Sequence, residues 1–292
     1  MAGRDRWAQW LLERRFAGED RRAALQQLAG IRDTVLDNAG LSAGEVLLDV
    51  GCGDGMIGFG GLDRGASQVV FSDVSQDLLD VCESAASDLG QLDRCRFTLA
   101  SADDLGAIST ESVDVVTTRS VLIYVQDKER AFQEFYRVLR PPGRASLFEP
   151  INRFGTPNSP GSFRGYDLSG LEAIVARVRS VFEQDSGPML DFDERDLVDL
   201  AERAGFSDIR LQLLIEVKNQ RPRSWDSYLR TVPNPNVPSL GEVIEQTLEP
   251  EQRDELTARL RPLVEQGQGR TRSAVAYLSA TKQGKRHCES RP

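Results

Sequence analysis

Residues 47–55 read LLDVGCGDG: a carboxylate, Asp49, stands just before Gly51, Gly53 and Gly55. Glycine accepts positive φ and leaves room for a ligand to approach the backbone. A strand that runs into a glycine-rich turn and then a helix is where a parallel sheet meets a nucleotide-like molecule. Two spacings overlap here. One is Gly51-x-Gly53-x-Gly55; the other, Gly53-x-Gly55-x-x-Gly58, is a complete GxGxxG, the dinucleotide fingerprint, a weak signal when it stands alone. Both share Asp73, an acidic residue about 20 positions on, where a carboxylate holds ribose hydroxyls.

Asp49 separates the two. A pyrophosphate at this turn would be repelled by the carboxylate beside it, whereas a ligand with a cationic end would be attracted. S-adenosylmethionine offers an adenosine to Asp73, a sulfonium and an ammonium to Asp49, and no phosphate, so these residues favour it as the cofactor. Tyr124 and Lys128 form YxxxK, the catalytic pair of short-chain dehydrogenases. That chemistry needs both residues on one helix face. Asp127 reads as the cap of the helix that contains Lys128, which leaves Tyr124 outside it and counts against a dehydrogenase. The cysteines 52, 82, 95 and 288 have no CxxC spacing, and His287 is the lone histidine. A zinc site, a disulfide framework and histidine catalysis are not indicated. Cys52 reads as a small filler, and no thiolate cluster is evident.

The elements that must hold these residues follow from the pattern. Strands are expected at 45–50, 68–74, 95–100, 112–118, 143–150, 207–217 and 272–282, with helices between most of them. Ser75 and Asp127 are expected as helix caps, and Pro141-Pro142-Gly143 as a helix stop. Strands alternating with helices imply a parallel sheet covered on both faces. Two helical patterns fill residues 1–40, and 151–190 and 221–270 interrupt the alternation. The chain's net charge of −9 argues against a duplex nucleic-acid partner. No apolar run approaches the ~20 residues of a membrane span, and the first 20 residues do not read as a secretory signal. A cytoplasmic protein is expected.

The glycine motif, the "FSDVS" that ends the second strand, "SADDL" after the third and "VDVVTTRSVLIYVQDKERAFQEFYRVLRPPGR" together resemble class I S-adenosylmethionine-dependent methyltransferases. The resemblance is strong over residues 45–150 and weak beyond. It implies an α/β, doubly wound Rossmann-like fold: a seven-stranded, mostly parallel sheet with an antiparallel last strand, plus a helical cap. The expected divisions are an N-terminal helical lid (1–40), the cofactor-binding core (41–150), a cap or substrate loop (151–190), a core helix and strand (191–220), an insertion (221–270), the last strand (271–283) and a disordered tail (284–292).

Carried over residue by residue, the resemblance has Asp49 orienting the methionine end of the cofactor. Gly51, Cys52, Gly53 and Gly55 would give backbone contacts, Asp73 the ribose bonds and Val74 a surface for adenine. Ser101, Ala102 and Asp103 would read the adenine edge, though Ser101 stands where an Asp is commoner. Arg119 would lie beneath the cofactor. Glu149 is the first candidate for a general base, with Tyr124 positioning a small-molecule acceptor. Trp7, Trp10, Phe154 and Tyr166 are candidate substrate contacts, with Phe163 beside them. No metal is expected, and the chain would be a monomer or homodimer. Simpler roles stay open: Gly58, Gly60 and Gly61 serve equally well for helix–sheet packing, Trp7 and Trp10 for anchoring their helix, and the whole fold for a non-catalytic binding or scaffold subunit.

Overall fold

A computed structural model describes residues 4–14, 21–155, 159–184, 187–232 and 234–284. The expected disordered tail falls mostly on 285–292, outside the described residues. The strands are β1 (Val46–Val50), β2 (Gln68–Asp73), β3 (Cys95–Leu99), β4 (Val113–Arg119), β5 (Leu139–Pro150), the short pair β6 (Ser162–Phe163) and β7 (Tyr166–Asp167), then β8 (Ser207–Asn219) and β9 (Arg270–Lys282). Seven of them form one sheet in the order β3-β2-β1-β4-β5-β9-β8. β1 through β5 pair in parallel, and the last strands run antiparallel. β1 and β2 are buried along nearly their whole length, as strands covered on both faces must be.

The chain divides into two compact units. The sheet unit comprises Leu28–Glu149, Glu194–Leu213 and Ala276–Pro292. Its strand order reverses between β1 and β4, the switch point at which such sheets open a crevice beyond their carboxyl ends. The helix Met56–Asp63 lies so close to the strands that two of its positions leave no room for a side chain. A Cβ on Gly58 would come 2.2 Å from the Phe71 ring, and one on Gly61 2.4 Å from Leu47 Cδ2. Those two glycines therefore serve packing.

Ser75 caps the helix Gln76–Asp88 by accepting from Leu78 N at 3.1 Å, and Asp127 caps Lys128–Val138 by accepting from Arg130 N at 2.8 Å. The latter helix stops at Val138, ahead of the expected proline stop. β5 begins at Leu139 and runs through Pro141-Pro142-Gly143. The reason is a bulge: β4 and β5 pair at Val113↔Leu139 and next at Val115↔Arg144, so the prolines fall where no ladder N–H is required.

The second unit comprises Met1–Gln27, Pro150–Asp193 and Leu214–Val275. Helices Glu172–Gln184, Trp225–Leu229, Leu240–Thr247 and Pro250–Gln266 enclose their own core around Tyr166, Leu168, Val243, Leu256, Leu260 and Val264. The N-terminal pattern is an α-turn, Arg6–Gln9, that widens into a π-turn at Trp10–Arg14. Trp10 Nε1 donates to Val232 O at 3.1 Å and so ties that turn to the unit's proline-rich stretch.

Candidate active site

The glycine loop follows β1. Gly51, Gly53 and Gly55 have φ of 63°, 58° and 81°, in the left-handed region that other residues adopt at a cost. At Gly51 a side chain is also excluded by space, since a Cβ would stand 2.3 Å from Val121 Cγ2. Two carboxylates hold the loop in place. Gly53 N donates to Asp73 Oδ2 at 2.9 Å, and Ser75 N donates to Asp73 Oδ1 at 3.0 Å, so one side chain joins the loop to the start of the next helix. Asp49 is 2% exposed. Its Oδ2 accepts from Gly58 N at 2.9 Å, and its Oδ1 accepts from Thr117 Oγ1 at 3.3 Å.

Burial pushes the Asp49 carboxyl from 3.8 up to about 7, opposed by the Gly58 and Thr117 bonds and by the nearby Arg119 charge. Arg119 makes no ion pair or side-chain hydrogen bond among the described residues. Val74, next to Asp73, is 53% exposed, an unusual position for an apolar side chain at the mouth of a core. After β3 the Ser101 hydroxyl bonds to the Asp103 carboxylate, Ala102 is buried, and Asp104 N donates to Ser101 O at 3.0 Å. The far end of this loop is fixed by Glu134, whose Oε2 accepts from Leu105 N at 3.0 Å while Arg137 holds its other side.

Glu149 is fully buried. Its Oε1 accepts from Val121 N at 3.0 Å and Leu122 N at 3.1 Å, which braces the turn that packs on Gly51. Burial raises its carboxyl from 4.5 to about 7. Tyr124 ends the short turn Leu122–Tyr124, and Lys128, on the next helix, donates its Nζ to Val125 O at 2.9 Å. The YxxxK pair is therefore split between a turn and a helix. Cys52 and Cys82 lie thiol to thiol behind the loop, a pairing the spacing did not reveal; their contact and burial raise the Cys52 pKa, which keeps it a thiol.

Three buried polar atoms at the ends of β2, β4 and β5 lack a hydrogen-bond partner among the described residues: Ser72 Oγ, Thr118 Oγ1 and Glu149 Oε2. Buried polar groups are seldom left so. Thr117, Glu134 and Cys82 are supporting residues that sequence reasoning missed.

Four expected substrate residues belong to the second unit. Trp7 and Trp10 lie on the N-terminal turns, partly exposed. Phe154 lies on the short helix Asn152–Gly155 with the Arg272 guanidinium 5.2 Å from its ring. Tyr166, expected on a loop, sits instead on β7, with no exposed surface, edge-on to Tyr228 at 5.8 Å. A ring so enclosed presents nothing to a ligand. The apolar helices around it need a large side chain at their centre, and Tyr166 supplies it.

Strand order, the glycine loop and the two acidic strand ends define the class I S-adenosylmethionine-dependent methyltransferase fold. Residues 48–147 match the family described as the methyltransferase domain. Over 153 residues the chain is 33% identical to the ubiquinone/menaquinone biosynthesis C-methyltransferase UbiE of Hahella chejuensis, covering 52% of this chain and 59% of that protein. The chain thus spans less than two thirds of the length of that curated relative. The structure of the protein BH2331 from Bacillus halodurans C-125 superposes with a TM-score of 0.57 at 17% identity, covering 87% of this chain and 99% of that one. The geranyl diphosphate C-methyltransferase of Streptomyces coelicolor A3(2), solved with S-adenosyl-L-homocysteine, gives 0.53 at 16% identity over 87% and 76%. Among the described residues no helix is long and apolar enough to cross a membrane.

Proposed function

We propose that the protein transfers a methyl group from S-adenosylmethionine to a small-molecule acceptor. The observation that carries this reading is the loop itself: three left-handed glycines between a buried carboxylate and the ribose-side Asp73, with Val74 bare beside it. When bound, the cofactor supplies a methyl group activated by a sulfonium. The chain's own residues would do the rest. Asp49 meets the cationic end, and Arg119 offers the opposite charge to the cofactor's carboxylate. Backbone at Gly51, Cys52, Gly53 and Gly55 lines the approach. Asp73 keeps lone pairs for ribose hydroxyls, Val74 packs on the base, and Ser101, Ala102 and Asp103 lie along its edge.

Alignment of donor and acceptor is the main source of rate in this reading. Glu149 acts as the brace that sets the Val121 turn against the loop, and Tyr124 positions the acceptor. Trp7, Trp10 and Phe154 remain the proposed acceptor contacts. The first test is calorimetric titration of the full chain with S-adenosylmethionine, S-adenosylhomocysteine and NADH, repeated with Asp73→Ala. Binding of the adenosyl compounds alone, lost in the variant, supports the reading; binding of NADH alone overturns it.

A further inference from the structure

The second unit holds a cavity of about 630 Å³, within the usual range for a small-molecule pocket. Arg164, Arg179, Arg270 and Arg272 line it, in a chain whose net charge is −9. The one carboxylate among the described lining residues is Glu183, which has an interaction of its own. None of the four guanidiniums forms an ion pair with a described residue. Elsewhere in this protein arginines meet acids readily, as Arg144 does with Glu45 at 2.6 Å and Arg140 with Asp114 at 2.7 Å.

Arg164 is the most constrained of the four. Its backbone is left-handed, with φ of 48°, a conformation costly for a residue with a side chain. The structure holds it there from both sides: Gln220 Nε2 donates to Arg164 O at 2.6 Å, and Arg270 N donates to Gly165 O at 2.8 Å. Gly165 lets the two segments approach this closely, because a Cβ there would stand 2.2 Å from Arg270 O. The guanidinium thus lies 4.8 Å from the centre of the Phe182 ring and 5.7 Å from that of Phe163. Burial lowers its pKa, and repulsion from Arg223 adds to the effect. A half-buried, stacked cation without an acid partner is poised for an anion, whose fork of oxygens matches guanidinium geometry. Phe182, Met189 and Leu190 give the same cavity an apolar wall.

We propose that this cavity binds an amphipathic organic anion, an apolar body ending in a carboxylate or a phosphate ester, with Arg164, Arg179 and Arg270 receiving the charged end. As a statement about the methyl acceptor it rests on the function proposed above; as a statement about binding it does not.

The test titrates the full chain by calorimetry with decanoate, decyl phosphate and decanol, and with S-adenosylhomocysteine as a control. At least one anion binds, decanol at least about tenfold more weakly, and whichever anion is preferred tells carboxylate from phosphate. Arg164→Gln and, separately, Arg270→Gln each weaken the anion about tenfold, the loss of a charged hydrogen bond, and leave S-adenosylhomocysteine binding unchanged. Arg270 is exposed at the start of β9, so its replacement tests the site even if Arg164→Gln fails to fold. Equal binding of decanol, no binding of either anion, or full anion affinity in the Arg270 variant overturns the proposal. Loss of S-adenosylhomocysteine binding in the parent chain would count against methyl transfer and leave the cavity to be judged by the anions.

Discussion

Asp49 carries two demands that pull apart. Buried and raised to about 7, its carboxylate is costly to ionise in the folded chain, yet the proposed role needs its charge. Its pKa is higher folded than unfolded, so the associated stability is complete below about pH 4 and is lost as pH rises through about 7. Melting temperature should accordingly fall between pH 5 and 8. In Asp49→Asn the fall should be shallower, with the variant more stable than the parent at pH 8 by about 1 kcal/mol or more. Affinity for S-adenosylmethionine should move the other way, rising from pH 6 to 8 in the parent and flat in the variant. Calorimetry at three pH values checks both; a variant that melts lower at pH 8 would mean that Asn breaks the Gly58 bond. Glu149 gives a second prediction at this scale. Gln keeps the oxygen that Val121 N and Leu122 N use, so Glu149→Gln should retain methyl transfer within about threefold, whereas loss of a general base typically costs 10² or more.

The glycine loop and the helix after it work as one element, and their glycines differ in kind. Gly51 needs both its left-handed φ and the space beside Val121, while Gly58 needs only the space beside Phe71. Gly58→Ala should therefore destabilise the fold by about 1–3 kcal/mol through overpacking, with cofactor affinity kept in the folded fraction. Gly51→Ala should lose cofactor affinity as well. Denaturant melts paired with S-adenosylhomocysteine titration separate the two outcomes. This element was legible in the sequence because its signals are local: a buried run, glycines at fixed spacing, and an acid at each strand end. The caps Ser75 and Asp127 were legible for the same reason. The partners were not. Thr117 reaches Asp49 across 68 positions, and Glu134 reaches Leu105 across 29, and no short-range pattern encodes such pairs. The proline run in β5 misled because Pro reads as a stop, and only strand register reveals the bulge that admits it.

At the scale of the molecule, the proposed cofactor residues all fall in the sheet unit, and the arginine-lined cavity falls in the other. A substitution in the second core should then spare cofactor binding. Leu260, fully buried there, should cost roughly 2–5 kcal/mol when changed to Ala. Affinity for S-adenosylhomocysteine at 20 °C should stay within about twofold, well under the tenfold of a 1.4 kcal/mol change. A large loss would mean that the two cores are coupled. Tyr166 shows why this half was harder to read: an aromatic residue in a glycine-rich stretch looks like a loop contact, and only the packed helices around it make it a core residue.

The second unit is assembled from three pieces of chain separated by strands and helices of the sheet unit. No single cut of the gene would lift it out, and recombination that exchanges one contiguous segment would deliver only part of its core. New ligand preferences of the proposed anion cavity would therefore arise by point substitution in its wall, where Met189 or Leu190 could change while the frame stays. An engineer wishing to retarget the proposed cavity should vary side chains in place and leave the segments unshuffled.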